Sequence, residues 1–76
     1  MTDILVVNPN TTASMTEKIR LAAEAVAGPG VAIRAINPAD GPVSIEGAYD
    51  DVFGAAAALR ALRAAPPADA YVIACF

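Results

Sequence analysis

Three short apolar runs, separated by two stretches with helical spacing, constrain this chain more than any other feature. Ile4-Leu5-Val6-Val7 is continuous and apolar, as suits a strand buried on both faces of a parallel sheet. Asn8-Pro9-Asn10 breaks it, because proline brings no N–H to a ladder and restricts the residue before it. Val31 to Ile36 reads as a second strand; its one charge, Arg34, sets it near an edge, and Asn37-Pro38 stops it. Ala70 to Cys75 reads as a third buried strand.

Between the first two runs, Met15, Ile19, Ala22, Ala23 and Val26 repeat with helical spacing and form one stripe. Ser14 with Glu17 fits a capping box, Thr11 or Thr12 fits a simple cap, and Gly28-Pro29-Gly30 ends the helix. A turn-rich loop follows from Ala39 to Ser44. The second helix is expected from about Glu46 to Ala65, with Ser44 as cap and Ala48, Val52, Ala55, Ala56, Leu59 and Leu62 inward. Pro66-Pro67 terminates it. The order β-α-β-α-β with short connections predicts an α/β fold: a three-stranded parallel sheet with right-handed crossovers.

Composition narrows the class. Domains of about this size bury only ~60% of their unfolded surface. Yet 57% of the 76 residues are hydrophobic, against about 45–50% in ordinary domains. That excess is expected to lie under another layer or subunit, so the chain reads as an incomplete unit. A net charge of −3 and five scattered basic residues speak against nucleic acid. No apolar run approaches the roughly 20 residues of a membrane span. The start lacks a basic n-region, and a lone cysteine builds no disulfide framework, so a cytoplasmic location is expected. With no histidine and one cysteine, neither a zinc site nor a Cys-His pair can be built from these residues.

In open α/β sheets, ligands bind beyond the carboxyl ends of the strands. Asn8 to Thr12, Gly41 to Gly47 and Cys75-Phe76 fall there. Each carries two readings. The first segment is a strand-to-helix turn with a good cap, or one wall of a polar cleft with helix N–H groups nearby. Cys75 is a small buried hydrophobe or a reactive thiol. Glu46 is a carboxylate favoured by a helix start or a general acid or base.

The segments ILVVNPNTTASMT, GPVSIEGAYDD and ADAYVIACF, in that order and spacing, resemble the hydantoin racemase branch of the aspartate/glutamate racemase superfamily, which includes allantoin racemases. The likeness runs along essentially the whole chain but reaches only the first part of a family member. It implies that residues 1–76 form a partial N-terminal α/β lobe of a two-lobed enzyme. The implied activity is cofactor-free racemisation of a 5-substituted hydantoin, allantoin or a related cyclic ureide. One cysteine would work on each face of the carbon between a carbonyl and a nitrogen.

By this resemblance Cys75 matches the first-lobe catalytic cysteine. Asn8, Asn10 and Thr11 match the loop lining the cleft, Ser44 and Ile45 the loop closing over the substrate, and Phe76 the start of the turn that holds the substrate's oxygen. A homo-oligomer is implied as well. The second cysteine belongs to a second lobe, so these residues alone are expected to be inactive. Two other readings stand beside this one. A maleate isomerase-type enzyme of the superfamily would use Cys75 as nucleophile, and a non-catalytic α/β binding module would bury it in a core.

Overall fold

The computed structural model describes residues 1–75. Its elements are β1 (Thr2–Val7), α1 (Ala13–Val26), β2 (Val31–Ile36), α2 (Ala48–Ala64) and β3 (Ala70–Ile73). The strands form a three-stranded parallel sheet in the order β2-β1-β3. The expected α/β unit is therefore the observed one. No helix among the described residues is long and apolar enough to cross a membrane.

The central position of β1 follows from its composition. Leu5, Val6 and Val7 are all buried, because both faces and both edges of this strand are covered. Leu5 and Val7 point to one side, where they pack with Ala58 and, less deeply, with Leu62 and Ala65 of α2. Ile4 and Val6 point to the other side, towards Ile19 and Ala23 of α1. Successive strand residues alternate faces, so the two helices lie on opposite sides of the sheet. Right-handed crossovers in the order β2-β1-β3 require the same arrangement.

Polar ties fix the register where the strands begin. Arg34 donates to both carboxylate oxygens of Asp3, at 3.1 and 2.9 Å, joining β2 to β1. Its Nη2 also reaches the carbonyls of Pro66 and Pro67, both at 3.1 Å. Asp69 closes the other side: its N–H donates to the Asp3 carbonyl, and its carboxylate accepts from the Asp3 N–H. One end of the sheet is thus clamped around Asp3, which leaves the opposite, carboxyl end for a site.

Five expectations need correcting. The Ser14–Glu17 box is not formed: Ser14 lies inside α1, and Glu17 pairs with Arg20. Thr12 takes the cap position, but its hydroxyl donates to Val43 O at 2.9 Å and does not cap. Ser44 does not cap α2 either, because that helix begins after Gly47. The inward face of α2 is Gly54, Ala57 and Ala58 with Ala61, Leu62 and Ala65 half-buried, whereas Val52, Ala55, Ala56 and Leu59 face out. Small residues at the contact let the helix approach the sheet closely, and with alanine on every side the choice of face is left to the larger side chains.

The fifth correction concerns β3. It ends at Ile73, and all four of its residues are exposed. On the α1 side its Val72 borders an apolar groove of about 540 Å³, floored by Ile4, Val6 and Ile33 and walled by Ile19, Ala22 and Val26. No element of residues 1–75 fills that groove, so the strand expected to be buried is open on this side. The helical stripe read from sequence overhangs the same space, leaving Met15 and Val26 exposed.

Candidate active site

At the carboxyl ends of β1 and β3 lies a cavity of about 390 Å³. Its wall brings together Asn8, Asn10, Ser44, Ile45 and Cys75, with Pro9, Met15, Ile19 and Ala74. Five of the seven residues singled out from sequence therefore meet in one place. Thr11 does not line the cavity; its N–H donates to Pro42 O at 3.0 Å and ties the loop after β2 to the loop after β1. Phe76 lies outside the described residues.

Each wall has a local cause. The β1 register continues into the loop, with Asn8 N donating to Ile36 O at 2.9 Å, so Asn8 stays buried between β1 and β2. On the other edge Ala74 N donates to Val7 O at 2.9 Å. That bond carries the chain beyond Ile73 alongside β1 and sets Cys75 beside the asparagine loop. The loop after β2 needs Gly41, whose φ of 107° is a left-handed conformation that a β-carbon would strain. From there the chain bends back, and Ile45 reaches the cavity rim.

The asparagines are unequal partners. Asn8 accepts from Asn10 N through Oδ1 at 3.3 Å. Its Nδ2 donates to Asn10 Oδ1 at 2.8 Å and to Thr16 Oγ1 at 3.1 Å. Asn8 is thus spent on protein contacts. Asn10 also accepts from Thr12 N at 3.0 Å, but its Nδ2 has only the sulfur of Met15, at 3.4 Å. Sulfur is a weak acceptor, so this Nδ2 is the donor the network leaves available to a ligand. Asn8 orients; Asn10 presents.

Sequence reading missed Thr16 and Asn37. Thr16 is buried, and its hydroxyl donates to Asn37 Oδ1 at 2.7 Å while receiving Asn8 Nδ2. Asn37 in turn donates to Pro38 O at 3.1 Å. The chain Asn10–Asn8–Thr16–Asn37 thereby links the β1 loop, α1 and the end of β2. A signal was present: Thr16 falls on the same side of α1 as Ile19 and Ala23, a polar residue inside an apolar stripe.

The larger apolar groove along α1 and β3 is no reaction site, since no polar side chain lines it. The smaller cavity combines a thiol, an amide donor and a hydroxyl with the apolar side chains of Met15, Ile19, Ile45 and Ala74. It is concave, mostly apolar and furnished with a few convergent polar groups, as small-molecule sites are. Cys75 is a free cysteine and lines this cavity.

An open parallel α/β sheet with a cavity at its carboxyl edge has the architecture in which α/β proteins bind ligands. Comparison with known proteins is more specific. The family described as Asp/Glu/Hydantoin racemase matches residues 4–76, and the chain belongs to that family. A hydantoin racemase of Paenarthrobacter aurescens is 47% identical over 77 residues, spanning 96% of this chain and 32% of the relative. One from Rhizobium meliloti is 43% identical over 75 residues, 96% of this chain and 31% of the relative. The crystal structure of allantoin racemase from Pseudomonas fluorescens superposes with a TM-score of 0.92 at 43% identity, covering 96% of this chain and 32% of that one. The chain thus spans about a third of the length of the relatives it matches.

Proposed function

We propose that this chain is the N-terminal lobe of a cofactor-independent racemase acting on a 5-substituted hydantoin, allantoin or a related cyclic ureide. The observation that carries the reading is the meeting of Cys75 and Asn10 in one cavity at the ends of adjacent strands. Family membership and the names of the relatives support the substrate class.

The carbon to be inverted lies between a carbonyl and a nitrogen. The Cys75 thiolate takes its proton, and the electron pair left on carbon moves onto the carbonyl oxygen. That oxyanion needs a fixed donor, and Asn10 Nδ2 supplies one; donors aimed at developing charge account for much of such rate enhancement. A proton then returns to the opposite face, so a second acid must stand across the substrate. Inversion completes with Cys75 protonated and the second group deprotonated; this form takes the opposite enantiomer directly, and proton exchange with solvent restores the form that takes the first. The thiolate is the reactive form of cysteine and a competent base for such a proton. Met15, Ile19, Ile45 and Ala74 keep water from the reacting carbon, while Ser44 stands at the rim.

The second acid lies beyond this lobe, and the working enzyme assembles as a homo-oligomer in the cytoplasm. The decisive experiment follows loss of optical activity of a chiral hydantoin and of allantoin with the full-length polypeptide. Cys75→Ala is expected to lower racemisation by at least ~100-fold, the scale of a lost general base, with an unchanged circular dichroism spectrum. Native-like turnover by that variant would defeat the mechanism. Conversion of maleate, with both cyclic ureides inert, would transfer the assignment to the maleate isomerase type.

A further inference from the structure

Met15 lies in the first turn of α1, lines the cavity with Asn10 and Cys75, and is 47% exposed. Its sulfur accepts from Asn10 Nδ2 at 3.4 Å. The amide on the other side of that contact is confined. Asn10 is only 7% exposed. Its Oδ1 accepts from Asn8 Nδ2 at 2.8 Å and from Thr12 N at 3.0 Å, which fixes the way the amide faces. Nδ2 is therefore turned towards the cavity, and the Met15 sulfur is its one partner among the described residues. Buried N–H groups normally find a full partner, and a thioether is a weak one.

Filling an apolar wall does not by itself call for sulfur, since leucine has nearly the same volume. What sets methionine apart here is that its acceptor strength changes by reaction. Oxidation turns the thioether into a polar sulfoxide, whose oxygen is a far stronger acceptor than the sulfur it replaces. The side chain is unbranched and turns about three bonds, so that oxygen has the freedom to swing onto Nδ2. Access is not in question, because any opening that admits a cyclic ureide to Cys75 admits a peroxide to the same cavity.

We propose that Met15 is a site of oxidative control, whose sulfoxide takes the Asn10 donor out of use. The inference rests on the racemase reading above, in which Asn10 Nδ2 holds the developing oxyanion. A sulfur lone pair attacks one oxygen of hydrogen peroxide, and the S–O bond forms as the O–O bond breaks. The hydroxide released takes the proton from the new S–OH group and leaves as water. Sulfur is thereby oxidised by two electrons and the peroxide reduced by the same two. The oxyanion must then compete with a protein oxygen for its donor. Methionine sulfoxide reductases return the thioether, one enzyme for each sulfoxide epimer, so the change is reversible.

The test uses the full-length polypeptide. Thiols are first capped as methyl disulfides, the protein is treated with hydrogen peroxide, and dithiothreitol then frees the thiols while leaving sulfoxide in place. Each protein is referred to its own untreated rate. The parent is expected to lose kcat on the order of 100-fold, the scale of a lost oxyanion donor, with unchanged circular dichroism. Treatment with both sulfoxide reductases should restore it. Met15→Leu should keep its own rate through the same cycle, and Asn10→Ala, already slow, should lose little more. A second arm needs no turnover. In nitrogen-labelled Cys75→Ser protein, mass spectrometry should find one added oxygen on Met15. The side-chain amide signal of Asn10, identified by its loss in Asn10→Ala, should then move downfield. A Met15 that stays unoxidised overturns the proposal, as does an Asn10 amide signal that does not move. So does an equal fall in kcat for the parent and Met15→Leu. Failure of the racemase reading shows instead in the untreated parent, as no racemisation of either cyclic ureide, and the amide arm still decides whether the sulfoxide captures Asn10.

Discussion

Ile45 Cδ1 lies 2.5 Å from where a β-carbon on Gly54 would stand. Glycine at this point of α2 is therefore what lets the β2–α2 loop lay Ile45 into the cavity wall. Pro9 O, 3.6 Å from the same point, shows how tightly the two loops converge there. The intruding atom is the far end of a flexible side chain, so a methyl would move Ile45 before it moved the helix. Gly54→Ala is expected to leave stability within about 1 kcal/mol, since alanine's helix preference offsets the shift. The substrate KM should rise severalfold. Ile45→Val removes Cδ1, so the double variant should recover the parent KM; independent effects of the two changes would contradict this.

Thr16 joins three elements through one hydroxyl, and Thr16→Val removes that hydroxyl at nearly constant volume. Asn37 Oδ1, in a half-buried position, then loses a 2.7 Å donor, and the buried Asn8 Nδ2 loses one acceptor while keeping Asn10 Oδ1. A buried polar group left unpaired costs about 1–3 kcal/mol. Chemical denaturation should show a loss of that size, with Thr16→Ser close to the parent. Because Asn8 holds Asn10, kcat should fall on the order of tenfold, in keeping with the cost of small misplacements. A kcat unchanged in a destabilised Thr16→Val would make the network purely structural.

Arg34 ties together β1, β2 and the α2–β3 connection at the end of the sheet remote from the cavity. Arg34→Met keeps the stem and discards the donors to Asp3, Pro66 O and Pro67 O. The side chains of Arg34 and Asp3 are about a third exposed. A small loss of stability is expected, because the pair is screened by solvent while the two carbonyl hydrogen bonds are lost with it. Urea midpoints give the value, and racemisation below the unfolding transition should be unaffected.

The exposed pair of Arg20 with Glu17 gives α1 a modest dependence on acid. The hydrogen bond from Arg20 holds the Glu17 carboxyl below its ordinary 4.5. A carboxyl depressed by folding contributes stability that is present above its unfolded pKa. That contribution is lost as pH falls through the lower folded value. The difference between the parent and Glu17→Gln is therefore expected to be constant from neutrality to about pH 5. Below that it should shrink, and thermal melts across an acid series would reveal it. A difference that grew on acidification would have the wrong sign.

The parts of this fold that were legible in the sequence are those where one residue type excludes alternatives. Val6 and Val7 followed by Pro9 leave little but a strand end, and Pro66-Pro67 stops any helix. The five cavity residues were legible because strand order and the carboxyl-end rule place them together. The inward face of α2 was not, because alanine stands on both sides of it, and the deciding contact is Gly54 against Ile45, nine positions of chain bent back on itself. Caps misled for a similar reason: Ser14 and Ser44 have the right chemistry, but Asn10 already serves Thr12 N, and Gly47 starts α2. Exposure of β3 depends on what lies across the sheet, which no local pattern encodes.

The pairing of β1 with β3 has a kinetic consequence. Asp3 and Asp69 are joined by two backbone-anchored hydrogen bonds across nearly the whole described chain. Closing so long a loop is costly in entropy before any contact returns it, and parallel pairing is slow for that reason. On the ribosome β1 emerges first, and it must wait for β3 before its second edge is covered. The asparagine loop can take shape early, against α1 and β2, whereas Cys75 reaches it only with β3. Acquisition of a reactive, ligand-protected thiol should therefore coincide with the slowest refolding phase, well after helical signal has returned.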